Sequence, residues 1–388
     1  MRNLKIIEKQ GDIVLLAFVV PVGSINETES QSGIAHFIEH LLFSKTKTKN
    51  NSEEITKAIE FVGGEINAFT SYSQTVYYVK IYKKHFDIAF ETLQDIFLNT
   101  VLTEKNIEKE RKVILNELQA TNDSPSSICW DNLFKSMFGK NPIIGKESVI
   151  ESLQKEDLEK FYKKYYTKES LKIIGVGDFT DVQKEVLENF LSQKQNHVKT
   201  GCLATLVVAE KIIEKEIDQT YVALVWDVLP YPDFVLDVNK YYTFKIYNAI
   251  LSFGMSGKLF QKIREELGLC YSIGSGLFLQ PSFGQFYISY STKENYLEVN
   301  KTVLDFLKNL EITNQDVENA KESLIGSDVL RHENYQNIME RNLNSILIDN
   351  YCLAEDFKKG VKDAAFDKDF IEELIASSTP FVSVVKPK

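Results

Sequence analysis

Two stretches of this chain repeat one order of segments. Residues 14–22 and 221–229 are apolar runs of strand length. Two helical segments follow each run. A strand pair comes next, within 64–82 in the first copy and 269–292 in the second, followed by a helix from about residue 84 and about residue 294. Matched order and length over such a span predict two copies of one domain. A length of 388 residues accommodates two domains of ordinary size. The boundary is expected at 195–204, a polar stretch with one glycine that follows a predicted helix over 182–191. The expected domains are therefore 1–194 and 205–388.

The two copies differ in chemistry. The first contains His36-Phe37-Ile38-Glu39-His40, whereas the only histidine after the boundary is His332. Residues four apart share a helix face, so His36 and His40 can aim two imidazole nitrogens at one point with Glu39 beside it. This is H-E-x-x-H inverted, a zinc-site pattern. The alternative for these five residues alone is a helix with two half-buried histidines in ordinary hydrogen bonds. A catalytic zinc needs a third protein ligand and one open position. A helix predicted over 103–122 bears Glu110 and Glu117, nearly two turns apart and so on one face. One of the pair can bind metal while the other orients a ligand; a solvated acidic face is the alternative.

These residues resemble the pitrilysin/insulinase-type zinc metallopeptidases, in their short two-domain form. That family has H-x-x-E-H followed about 76 residues later by a ligand Glu, and 76 residues separate His40 from Glu117 here. The resemblance implies zinc held by His36, His40 and Glu117, Glu39 as general base, and Glu110 as a supporting acid. Gly63-Gly64-Glu65-Ile66-Asn67-Ala68-Phe69-Thr70-Ser71 is similar to a family strand that pairs with extended substrate, which implies peptide binding along Asn67, Ala68 and Phe69. Ser52, with Glu53 and Glu54, is expected to start the helix before it, and the glycines to end it. Residues 254–272 resemble the S-R-L-F…R-E-E-L-G-L-x-Y-S segment of the family's second domain. That implies Arg264 and Tyr271 as groups that hold a substrate carbonyl and an oxyanion. Gly257-Lys258 departs from the usual Ser-Arg and leaves Lys258 without an assigned role.

The fold implied is α+β: two homologous domains, each a mostly antiparallel sheet packed with helices, forming half of a clamshell that closes by dimerisation. The function implied is a zinc metalloendopeptidase acting on unfolded peptides inside a homodimeric chamber. A dedicated precursor-peptide maturase and a non-catalytic binding subunit are the alternatives. Composition narrows the field further. A net charge of −10 disfavours nucleic acid. The four scattered cysteines have no C-x-x-C spacing, which points to free thiols and a reducing compartment. No run reaches the length of a membrane span, and the apolar run near the N-terminus lacks a cleavage site, so a cytoplasmic location is expected.

Overall fold

Each copy of the repeat builds a five-stranded sheet with the same strand order. In a computed structural model, which describes residues 3–139, 142–191, 210–348, 353, 356–377 and 379–388, the first sheet contains β1 (Leu4–Glu8), β2 (Ile13–Val20), β3 (Glu65–Thr70), β4 (Thr75–Tyr82) and β5 (Lys172–Gly177). Their order is β1-β5-β2-β4-β3. Only β1 and β5 run parallel; the other neighbours are antiparallel. The second sheet contains β6 (Glu210–Lys215), β7 (Thr220–Val228), β8 (Ser272–Leu279), β9 (Gly284–Thr292) and β10 (Phe381–Pro387). Its order, β6-β10-β7-β9-β8, is the same pattern, again with one parallel pair, β6 with β10. The fold is thus α+β with two mixed sheets. The expected boundary segment 195–204 lies outside the described residues.

Burial of β2 follows from its sequence. Ile-Val-Leu-Leu-Ala-Phe-Val-Val has no polar alternation, and Val14 through Val20 are all fully buried. A strand points successive side chains to opposite faces, so such a run needs cover on both. Val14, Leu16, Phe18 and Val20 enter one core, with residues of α1 (Ile34–Leu42), α2 (Ser52–Glu60) and α3 (Phe86–Leu98). Leu15, Ala17 and Val19 enter a second, smaller core, against Ile338, Met339, Leu343 and Ile346 of the helix Tyr335–Leu347.

That helix comes from the far half of the sequence. By contacts the chain forms two compact units: one holds the described residues within 1–120, 140–200 and 332–350, the other those within 121–139, 201–331 and 351–388. The second unit borrows in the same way. After α4 (Glu104–Asp123), α5 (Pro125–Phe138) packs on β10 and β7. Cys129 Sγ donates to the Ser383 carbonyl at 3.2 Å, and Ser383 Oγ donates to the Cys129 carbonyl at 2.7 Å. No helix among the described residues is long and apolar enough to cross a membrane.

The helix before β3 begins at Ser52 as expected, but its cap is Asn51, whose side chain accepts the Glu54 amide at 2.9 Å. Asn51 has extended backbone and so aims its carbonyl oxygen at the open amides of the first turn. Gly63 then takes a left-handed φ of 75° to turn the chain into β3.

Candidate metal centre

The helix α1 separates apolar from chemical residues by its period. Ile34, Ala35, Phe37, Ile38, Leu41 and Leu42 are buried in the core, which leaves His36, Glu39 and His40 on the other face. Its start is fixed by the buried Glu27, whose carboxylate accepts the amides of Gly33 at 2.8 Å and Ala35 at 2.9 Å. An anion there meets unpaired amides and the positive end of the helix dipole. Gly33, at φ 89°, packs on Gly145, and a β-carbon would lie 2.9 Å from its Cα. The opposing helix α4 is held by the buried Arg111, whose guanidinium donates to the carbonyls of Ile150 and Leu153.

These two helices bring His36, His40 and Glu117 together, with ligand atoms all within 4.8 Å of one another. The two Nε2 atoms are 3.2 Å apart, and Glu117 Oε2 lies 3.8 Å from His36 Nε2 and 3.5 Å from His40 Nε2. Tetrahedral coordination with bonds of about 2.1 Å has edges of about 3.4 Å, so two imidazoles and one carboxylate at these separations fit zinc with a position to spare. His36 Nδ1 is buried with no hydrogen-bond partner. Burial, together with neighbouring His40, lowers the His36 pKa to about 3, which keeps its imidazole neutral, the form that ligates metal. Burial acts in the same sense on His40, but Glu110, Glu117 and Glu39 outweigh it and raise its pKa.

Glu110 stands behind the group. Its Oε2 is 3.5 Å from His40 Nδ1, while Ser44 Oγ donates to Oε1 at 3.2 Å. A carboxylate on the far nitrogen fixes the imidazole's orientation and tautomer. Glu39 is half-buried beside the histidines. Burial raises its pKa, against an opposing hydrogen bond from Thr70 Oγ1 to Oε2 at 2.6 Å.

Among the described residues the strand β3 is an edge strand, paired with β4 alone. Its register tells which backbone groups face outward. Ser71 donates to the Gln74 carbonyl, so Thr70 opposite Thr75 is a non-hydrogen-bonded pair, and so by alternation are Ala68 with Tyr77 and Ile66 with Val79. The outward groups therefore belong to Ile66, Ala68 and Thr70. Asn67 Oδ1 accepts the Ala68 amide at 2.8 Å, which occupies that edge donor. Phe69 is half-buried.

In the second unit, Arg264 lies in a π-helical turn, Phe260–Glu266. Such widened turns concentrate at functional sites. The Arg264 guanidinium lies over the rings of Phe260 and Tyr271, 4.6 and 5.6 Å from their centroids. Tyr271 is 74% exposed. Lys258 is engaged elsewhere, donating to Asp316 at 2.7 Å and to the Glu311 carbonyl at 2.9 Å. Three residues with a part in this architecture went unassigned in the sequence. Thr70 sat within the strand motif as an available signal, whereas Glu27 and Arg111 have none that a single sequence reveals.

The chain is similar to known proteins along most of its length. A family model for "Insulinase (Peptidase family M16)" matches residues 5–146, and one for "Peptidase M16 inactive domain" matches residues 152–324. A Bacillus subtilis protein named "Uncharacterized zinc protease YmxG" is 31% identical over 339 residues, covering 85% of this chain and 81% of that protein. A Rickettsia bellii "Uncharacterized zinc protease" is 32% identical over 295 residues, covering 74% and 70%. The crystal structure of a protease from Helicobacter pylori superposes with a TM-score of 0.86 at 20% identity, covering 99% of this chain and 96% of that one, a likeness of fold.

Proposed function

We propose, on the premise that the chain belongs to the insulinase family, peptidase family M16, that it is a zinc-dependent endopeptidase acting on unfolded peptides. The observation that carries this reading is the convergence of His36, His40 and Glu117 at zinc-like spacing with Glu39 beside them. Zinc at such a site supplies Lewis acidity toward the scissile carbonyl and acidifies a water molecule. The chain's own residues do the rest. Glu39 takes the proton of the attacking water and returns it to the leaving amine. Its burial suits this task, because a carboxylate whose pKa is raised is a stronger base toward the proton of the water. Glu110 keeps His40 oriented. A peptide added to the outer edge of β3 displaces Asn67 from the Ala68 amide and runs toward Thr70, where Glu39 sits. Folded substrates cannot present such a strand.

Arg264 and Tyr271 supply a cation and a phenol suited to a substrate carbonyl and an oxyanion. In the reading adopted here they act within a homodimeric chamber, on the site of a second copy of the chain. One experiment tests both levels. Hydrolysis of mixed unstructured quenched peptides is followed for the zinc-loaded wild type, for Glu39→Gln, for Arg264→Ala, and for the two variants mixed under subunit exchange. The wild type should cleave, Glu39→Gln should lose at least ~100-fold, and the mixture should recover part of the activity. Equal rates in wild type and Glu39→Gln would sink the base assignment. A mixture no better than its components would sink the shared site. Cleavage of one peptide among many would redirect the reading to a dedicated maturase.

A further inference from the structure

Thr70 serves the site in two ways. It is the last residue of β3, and its backbone faces the open edge. Its hydroxyl donates to Glu39 Oε2 at 2.6 Å, and its amide lies against the same carboxylate. The direction of the short bond follows from its partner, since an ionised carboxylate can only accept and the hydroxyl must donate. Thr75 Oγ1 stands farther off, 3.4 Å from Thr70 Oγ1, and gives its own proton to the Val22 carbonyl at 2.9 Å. The seat is stiff as well. The amides of Ser24 and Ile25 donate to the carbonyls of Ser71 and Tyr72, and a β-carbon on Gly23 would fall 2.1 Å from the Ser71 oxygen.

A carboxylate can rotate to exchange its two oxygens, whereas a general base must keep one of them aimed at its proton. With Oε2 pinned by Thr70, Oε1 is the oxygen left to receive it. We infer that Thr70 is a positioning residue for the reaction: its hydroxyl fixes the orientation of Glu39, and it does so from the strand that receives the peptide. The inference rests on the peptidase reading above and adds a residue to it. Valine matches threonine in shape and strand preference and lacks the donor, so Thr70→Val removes the bond and keeps the strand. Serine keeps the donor.

The test measures steady-state hydrolysis of a quenched peptide by zinc-loaded wild type, Thr70→Val and Thr70→Ser, each with its zinc content determined. Alongside it, fluorescence anisotropy measures binding of a labelled unstructured peptide to Glu39→Gln and to Glu39→Gln combined with Thr70→Val. Thr70→Val should lower kcat by ~10–100-fold, the scale of a misplaced catalytic group, with KM changed less than about threefold. Thr70→Ser should restore most of the rate, zinc content should be equal in all three, and the two Gln variants should bind peptide alike. A Thr70→Val enzyme with wild-type kcat overturns the inference. So does a loss that appears in KM and peptide binding, which marks a role in strand structure alone, or a Thr70→Ser enzyme no better than Thr70→Val. A wild type that holds zinc and cleaves nothing overturns the peptidase reading itself, and this role with it.

Discussion

His40 has a different task at each ring nitrogen. Nε2 faces His36 and Glu117, and Nδ1 faces Glu110. A metal ligand whose far nitrogen is held by a carboxylate is pre-aimed, so removing the charge from Glu110 costs affinity more than it costs structure. Glu110→Gln should weaken zinc binding ~10–100-fold, measured by competition with a chromophoric chelator, with peptide hydrolysis returning as free zinc is raised. Unchanged affinity would remove Glu110 from its supporting role. Helical periodicity converts spacing into facing, so the sequence alone put His36, Glu39 and His40 on one face, whereas the choice of Glu117 over Glu110 came from the family resemblance. Thr70 lay within the strand motif, but its partner was hidden, because its bond to Glu39 crosses 31 residues and joins a strand to a helix. Glu27 was hidden for a similar reason: a carboxylate that caps a helix from six residues before Gly33 follows no local capping rule.

The helix α5 carries a carboxylate at a cost in stability. It sits on β10 and β7 and carries Asp131, a carboxylate with no hydrogen-bond or ion-pair partner among the described residues. Burial alone pushes its pKa up from 3.8 to about 6. The sign follows from linkage. Between those two values the folded state holds a proton that the unfolded state has released, so stability falls as pH rises through the window and stays low above it. Asp131→Asn should therefore raise the melting temperature at pH 8, by a free energy on the order of 1–3 kcal/mol, and change little at pH 4. Equal effects at both pH values would show that the carboxylate is solvated. Strands and helices of this kind were legible from apolar periodicity, and β2 and β7 begin within one residue of their expected starts. The π-helical turn at Phe260–Glu266 was not. Its sequence has ordinary helical composition, which does not record a widened backbone.

At the scale of the molecule the repeat was visible and the exchange of helices was not. An amphipathic helix announces that it has an apolar face, never which sheet receives it. The helix Tyr335–Leu347 buries Ile338, Met339, Leu343 and Ile346 against the first sheet. At roughly 1.5–3 kcal/mol for each large side chain, that face contributes on the order of 6–12 kcal/mol as an upper estimate, comparable to the whole stability of a domain. A fragment of residues 1–200 should therefore fail to give a sharp thermal transition alone and gain one when a peptide of residues 332–350 is added. A cooperative fragment without the peptide would show that the cover is dispensable. The same exchange sets a timetable for synthesis. When the ribosome has finished β5, the face bearing Leu15, Ala17, Val19, Ile174 and Val176 still lacks its helix, which emerges some 160 residues later. At translation rates of roughly 5–20 residues per second, a nascent chain displays that apolar face for about 8–30 seconds, long enough for a chaperone to find it. The first half of this protein is born early and finished late.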